Sequence, residues 1–508
     1  MKREAILVVD LGSTSVKSTV FSPDGQVLAR AGGSYPTRAP HPAWAEQEPE
    51  RWWEATVRAT RTALREAVTA GRQDLSVAAI GLTGQMHGVV ALDRDGAVLG
   101  PCLTVQDRRA ADDVAAIDEE LGPGRSYAIT GARLDPASPA AKLRWLARHQ
   151  PQVSARAAVF LSPKDYLRYR LTGEPATDPI DAAGTLLYDL RAQAWSPELC
   201  RAARIAVDQL PPIRPAHSLA GMLVVEAAAA LGLPVGVPVA IGAGDDVECL
   251  GAGLRTSGQA VEHLGTTGSI LAASSQVVID AAMRVDCYPH AIPGLYLVGG
   301  STGSAGATLA WAARQLVMAD DRGDGGHLHL EDGPTDDEQL VVFLPYLSGE
   351  RCPVWDPKTR GLLAGLTLGT TNADIARAVF AGVGFSLRHI LDTLLDLGLR
   401  IDEIVASSDA TEAGTAWPLL RSTIYGRPLL LPGVADATAL GTLILTLVAA
   451  ELQPSIEAAA GQLVPPPERR IMPDAERRER LEDAYTLYRE LSSATMEVFS
   501  RRRNGRRP

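Results

Sequence analysis

Along the first half of the chain, short apolar runs alternate with longer stretches whose apolar residues recur every three or four positions, a pattern that predicts strands interleaved with helices. The run "AILVVD" (5–10) is a short strand ending on a carboxylate, and "KSTVFSPDGQVLARA" (17–31) is a hairpin turning at Asp24-Gly25. "PERWWEATVRATRTALREAVTAG" (49–71) reads as a helix closed by Gly71, with Trp53, Val57, Leu64 and Val68 on its apolar face. "LSVAAIGLTG" (75–84) is the next strand, and "GVVALDRDGAVLG" (88–100) a second hairpin turning at Asp95-Gly96. "PKDYLRYRLTG" (163–173) is a short helix closed by Gly173. At 508 residues the chain is too long for one ordinary core, so two large domains are expected, divided as 1–243 and 244–508.

Two strand ends look alike. "VVDLGSTS" (8–15) and "VEHLGTTGS" (261–269) each run strand, then Leu-Gly, then a pair of hydroxyl residues. Backbone N–H groups and hydroxyls in such turns can surround phosphate oxygens, and glycine permits close approach. Gly12, Ser13 and Thr14 in the first turn, with Gly265, Thr266 and Thr267 in the second, are therefore candidate nucleotide contacts. Asp10 cannot hold an anion itself; a carboxylate there suits Mg²⁺, bound directly or through water. Two similar halves opening on such turns imply related α/β domains facing a cleft. Neither a P-loop nor a dinucleotide-binding glycine fingerprint follows the first strand.

A third stretch, "GAGDDVECLGAG" (242–253), seats Asp245 and Asp246 among glycines. Such clusters are usually surface turns. Here the approach "LPVGVPVAIGAG" (233–244) reads as a buried strand, and a carboxylate delivered from a buried strand end suits a proton acceptor better than a solvated loop.

Composition narrows the class. A hydrophobic fraction of 46% with 21% charged residues fits a globular protein, and a net charge of −11 argues against a general nucleic-acid binder. The five cysteines stand apart, without metal or redox spacing. The first residues run straight into a strand and no apolar run reaches membrane-spanning length, so a cytoplasmic protein without a membrane partner is expected.

These residues together resemble the FGGY carbohydrate kinases of the actin–hexokinase superfamily, and within them the xylulose kinases. The resemblance rests on "VVDLGSTSVKS" (8–18), "WAEQEPERWWEA" (44–55), "GLTGQMHGVVALD" (81–93), "SPKDYLRYRLTGEPATDPIDAAGTLLYDL" (162–190) and "FLPYLSGERCPVWDPKTRGLLAGLTL" (343–368). It implies two ribonuclease H-like α/β domains flanking a cleft, and ATP-dependent phosphorylation of a sugar with Mg²⁺. It makes Asp245 the proton acceptor, sets Met86, His87, Asp107 and Asp246 against the sugar, and puts Asp10 at the metal and phosphate position. D-xylulose is the expected substrate, and a homodimer the expected assembly. A Met-His pair also suits a polyol on chemical grounds, offering a ring nitrogen for a hydroxyl and an apolar flank for carbon.

Three positions depart from the family pattern. Val105 replaces an aromatic on the sugar side, and Ala381 replaces a glutamate. The adenine-side loop, glycine-rich in the family, is "ASSDAT" (406–411), so that Ser407, Ser408 and Asp409 bring side chains toward the nucleotide. Weaker nucleotide binding is expected there. A kinase for another pentulose or polyol, a sugar-binding pseudokinase and an actin-like assembly protein are the rival readings.

Overall fold

The computed structural model describes residues 3–69, 75–303, 305–316, 340–407 and 416–501. Two seven-stranded sheets dominate these residues. The first contains β1 (Arg3–Leu11), β2 (Ser15–Phe21), β3 (Val27–Ser34), β4 (Leu75–Gly84), β5 (Leu219–Met222), β6 (Pro238–Ala240) and β7 (Ala243–Gly244), in the order β5-β6-β4-β1-β2-β3, with β7 also beside β4. The second contains β8 (Gly258–Leu264), β9 (Gly268–Ser274), β10 (Asp286–Pro289), β11 (Tyr296–Thr302), β12 (Ile401–Ala406), β13 (Leu429–Pro432) and β14 (Pro467–Ile471), in the order β10-β11-β9-β8-β12-β13-β14.

The internal repeat suggested by the two hydroxyl turns extends to whole sheets. β3-β2-β1-β4-β6 and β11-β9-β8-β12-β13 share one arrangement: an antiparallel meander, then two strands parallel to its first member. Each half adds an antiparallel edge strand, β5 and β14.

β1 is apolar at nearly every position because its sheet is covered on both faces. Ala5, Leu7, Val9 and Leu11 join Trp52, Ala55 and Ala59 of the helix Pro49–Thr69 in one core. Ile6 and Val8 join Leu443, Ile444 and Leu447 of the helix Ala437–Ala449 in another. A helix from the end of the chain thus roofs the first sheet.

Several local expectations meet their counterparts. Gly25, in the first hairpin turn, has φ 89°, and Gly173, closing the helix Pro163–Thr172, has φ 76°. The second hairpin keeps its turn at Gly96, with Leu92 bridging Val98 and the Leu99 amide donating to the Ala91 carbonyl at 2.9 Å, and Val90–Leu92 also pairs with Val159–Leu161. The helix Pro49–Thr69 buries Trp52, Trp53, Ala55, Thr56, Ala59, Thr60, Ala63 and Ala67, whereas Val57 and Leu64 are partly covered and Val68 is exposed. The expected stripe is displaced because the helix lies close on the sheet, where a Cβ on Gly33 would sit 3.4 Å from Ala55, and small side chains permit that approach. The helix Asn372–Asp396 is long and apolar enough to cross a membrane, contrary to the expectation that no run would be. Its most apolar window is 78% buried inside the protein, which accounts for its composition as that of a core helix.

Candidate active site

Three parallel strands end side by side. Leu11 of β1 registers with Gly84 of β4, and Gly244 of β7 also registers with Gly84. Chemistry gathers at such carboxyl ends because the strands stop there while their connections diverge. Asp10, the Gln85–His87 segment and Asp245 therefore leave one sheet edge together. The Gln85 amide donates to the Leu11 carbonyl at 2.7 Å, and a Cβ on Gly84 would lie 2.7 Å from that same oxygen.

Met86 is buried and fills the gap between two glycines: a Cβ on Gly244 would meet its sulfur at 2.6 Å, and one on Gly184 its methyl at 2.7 Å. His87 adopts a left-handed backbone, φ 62°, which turns its side chain back to the helix Pro179–Gly184. Its Nδ1 donates to the Gly184 carbonyl at 2.8 Å, leaving Nε2 as an acceptor while the ring is neutral. Burial lowers the His87 pKa and favours that neutral form. Beneath the turn, Lys142 Nζ donates to the carbonyls of His87 at 2.8 Å and Thr104 at 2.6 Å, and burial pulls its pKa down to about 7.

Asp245 begins a tight turn, Asp245–Val247, and its side chain is open to water within the cleft. The surrounding protein raises its pKa well above the ordinary carboxylate value, with like charges on Asp246, Asp10, Asp181 and Glu248 adding to the effect. Its accessibility moderates the first of these causes. Burial and Glu248 lift Asp246 to about 6. Asp10, also raised by burial, stands 3.7 Å from Lys17 Nζ.

Both hydroxyl turns have their carbonyls engaged from behind. In the first, the Gly12, Ser13 and Thr14 carbonyls accept from the Tyr35 hydroxyl, Gln47 Nε2 at 2.7 Å and the Tyr35 amide at 3.2 Å. In the second, the Gly306 amide donates to Gly265 at 2.9 Å, Ala305 and Ala307 donate to Thr266 at 3.1 Å each, and the Gly265 amide to Thr267 at 2.9 Å. Ser13, Thr14 and Thr266 face water. The Gly12 amide is also used within its turn, donating to the Ser15 carbonyl at 2.9 Å, so the water-facing residues are where donors to a phosphate could come from. Gln47 also couples the first turn to the Gln85–His87 segment, since its Oε1 accepts from Gln85 Nε2 at 3.2 Å.

Asp107 has protein partners on both oxygens. Its side chain is fully buried and its two oxygens accept from Arg109, from the Ala45 amide at 2.7 Å and from the Arg109 amide at 3.1 Å. Arg109 in turn lies 3.6 Å over the Trp44 ring. Asp107 anchors that arginine. Ser408 and Asp409 lie outside the described residues. Ser407 is described, and its hydroxyl donates to Glu248 while its amide donates to the Glu262 carbonyl at 2.8 Å.

Sequence reasoning missed two contributors. Arg351, from the second half, bears electrostatically on His87 and Asp135 across the cleft. Asp165, Asp178 and Asp181 converge as a metal site would, but Lys164 Nζ already stands among them at 2.7, 2.9 and 3.2 Å. This buried ionic cluster seats the helix that carries Gly184. Only "PKD" and "DPID" hinted at it, and alternating charges in sequence do not reveal burial.

The chain matches the FGGY family of carbohydrate kinases in both halves, the N-terminal domain over residues 5–250 and the C-terminal domain over 260–450. It is 33% identical to a xylulose kinase of Escherichia coli (strain K12), covering 95% of this chain and 98% of the relative. It is 27% identical to a gluconokinase of Bacillus subtilis (strain 168), over 90% of each chain. The crystal structure of a xylulose kinase from Rhodospirillum rubrum superposes with a TM-score of 0.90 at 29% identity, covering 98% of this chain and 100% of the other. The chain belongs to the FGGY family of carbohydrate kinases and is a sugar phosphotransferase.

Proposed function

We propose that the protein transfers the terminal phosphoryl group of ATP to a ketopentose hydroxyl, converting D-xylulose to D-xylulose 5-phosphate, with Asp245 accepting the hydroxyl proton. One observation carries this reading: Asp10, Met86–His87 and Asp245 leave adjacent parallel strand ends at a single edge. A raised pKa makes the Asp245 carboxylate a stronger base toward an alcohol, and its access to water in the cleft leaves room for that alcohol. Met86 would flank the carbon chain and His87 Nε2 would accept from a hydroxyl, while Asp246 would border the sugar beside Asp245. We take 1–243 as the sugar-side half and 244–508 as the nucleotide-side half.

FGGY kinases use ATP and typically Mg²⁺. The residues here fit both: the water-facing Ser13, Thr14 and Thr266 would offer donors to phosphate oxygens, and Asp10 would offer a carboxylate to the metal. Bound Mg²⁺ supplies charge neutralisation and alignment of the phosphates. The protein's own part is to hold the sugar hydroxyl against Asp245 and to take its proton.

Relatives include gluconokinases as well as xylulose kinases, so the test is a coupled ADP assay over pentuloses, polyols and gluconate. D-xylulose is expected to show the highest kcat/KM. A preference for gluconate or a polyol would replace the substrate, and sugar binding without ADP release would replace the enzyme with a binding protein.

A further inference from the structure

Beside the second hydroxyl turn, three polar side chains from three elements meet: His263 from the end of β8, Ser407 from just beyond β12, and Glu248 from the short helix that follows Asp245. His263 Nδ1 lies 2.9 Å from Glu248 Oε1, and the Ser407 hydroxyl donates to that same oxygen. The hydroxyl also lies 3.4 Å from His263 Nδ1. A carboxylate can only accept from the imidazole, so Nδ1 carries a proton and the ring orientation is set. The opposite nitrogen is then aimed at the turn, because a Cβ on Gly265 would stand 3.0 Å from His263 Nε2.

We infer that His263 is a nucleotide-binding residue, its Nε2–H donating to a phosphate oxygen of ATP held against the turn Gly265–Thr267, with Glu248 and Ser407 positioning the ring. The inference rests on the kinase reading and adds a charged donor to it. It also gives Ser407 a use, since its hydroxyl turns into this cluster. The groups acting on the imidazole are Glu248, Glu262 and Asp246, all acidic, and Ser407, which is neutral. Glu248 raises the His263 pKa above its ordinary value, so the donor form extends upward in pH. Four negative charges on free ATP meet a cleft already rich in carboxylates, and one cation at the turn offsets part of that repulsion.

The test measures binding, so that it does not depend on turnover. ATP and adenosine are titrated into wild type, His263→Gln and Glu248→Gln by calorimetry, at several pH values between about 6 and 9. His263→Gln is expected to weaken ATP binding by about ten- to a hundredfold, the range for losing a hydrogen bond to a charged group, and to leave adenosine binding unchanged. ATP binding to wild type weakens as pH rises through the imidazole pKa, and Glu248→Gln moves that midpoint downward. Unchanged ATP affinity in His263→Gln, or equal loss for adenosine, overturns the role of His263 alone. A midpoint unmoved in Glu248→Gln overturns the positioning role of Glu248. Absence of ATP binding in wild type overturns the kinase reading, and the inference with it.

Discussion

The carboxylates of this cleft divide by surroundings, although sequence treats them alike. Asp245 and Asp107 both precede polar residues at the ends of apolar stretches, yet one is open to water and the other has its oxygens occupied by Arg109 and backbone amides. Only long-range packing separates them, because Ala45 and Trp44 come from a distant stretch of chain. Asp245→Asn is expected to lower kcat by about 10²–10⁴-fold with little change in Tm, since it removes the proton acceptor and preserves shape. A folded variant with wild-type turnover would remove Asp245 from the reaction. Lys142 supports a different expectation. Its pKa falls from 10.5 to about 7 on folding, so between these values the unfolded chain holds a proton that the folded chain has released. Unfolding then takes up a proton, and stability rises with pH across that window. Below about pH 7 both states are charged and the cost of burying the ammonium is fully present. Lys142→Met is expected to flatten the rise, read from urea midpoints at intervals from about pH 7 to about pH 10. Equal slopes in the two proteins would refute the assignment.

At the scale of elements, locally encoded features were legible. The Asp24-Gly25 turn, the Pro163 start and Gly173 stop of one helix, and the two Leu-Gly hydroxyl turns all follow from backbone preferences of a few adjacent residues. The covered face of the helix Pro49–Thr69 was not legible, because periodicity marks where large apolar residues recur and cannot show that a close approach selects alanines and threonines. Close approach also governs the helix behind Asp245. A Cβ on Gly251 would stand 1.8 Å from the Ala437 carbonyl oxygen, and one on Gly441 would stand 2.3 Å from the Val247 carbonyl oxygen. These backbone contacts join the Asp245 segment to the helix Ala437–Ala449. Gly251→Ala is therefore expected to destabilise by about 1–3 kcal/mol, as overpacking does, and to reduce kcat by shifting Asp245. Thermal unfolding and sugar kinetics of the variant check both parts; unchanged Tm would mean that the two helices separate without cost.

For the whole molecule, the division of the chain in sequence and the division of its cores differ. Ile6, Val8, Ala79 and Ala243 of the first half share a core with Leu443, Ile444, Leu447 and Ile456 near the end of the chain. A fragment of residues 1–243 would leave that face of its sheet bare, and exposed apolar area of this kind favours association. It is expected to lack a cooperative urea transition, or to aggregate, and to recover one when residues 437–463 are supplied on a linker. A monomeric fragment with a sharp transition would show that the first half folds without its roof. By itself, the sequence determined the strand and helix types, the repeated hydroxyl turns, the paired aspartates and the family, since each depends on neighbouring residues or on motifs read in order. Tertiary structure alone decided that β1, β4 and β7 end side by side, that Asp107 is buried, and that His263, Glu248 and Ser407 meet. Those outcomes depend on strand register and on contacts between residues far apart in the chain, which no local pattern of apolar and polar positions encodes.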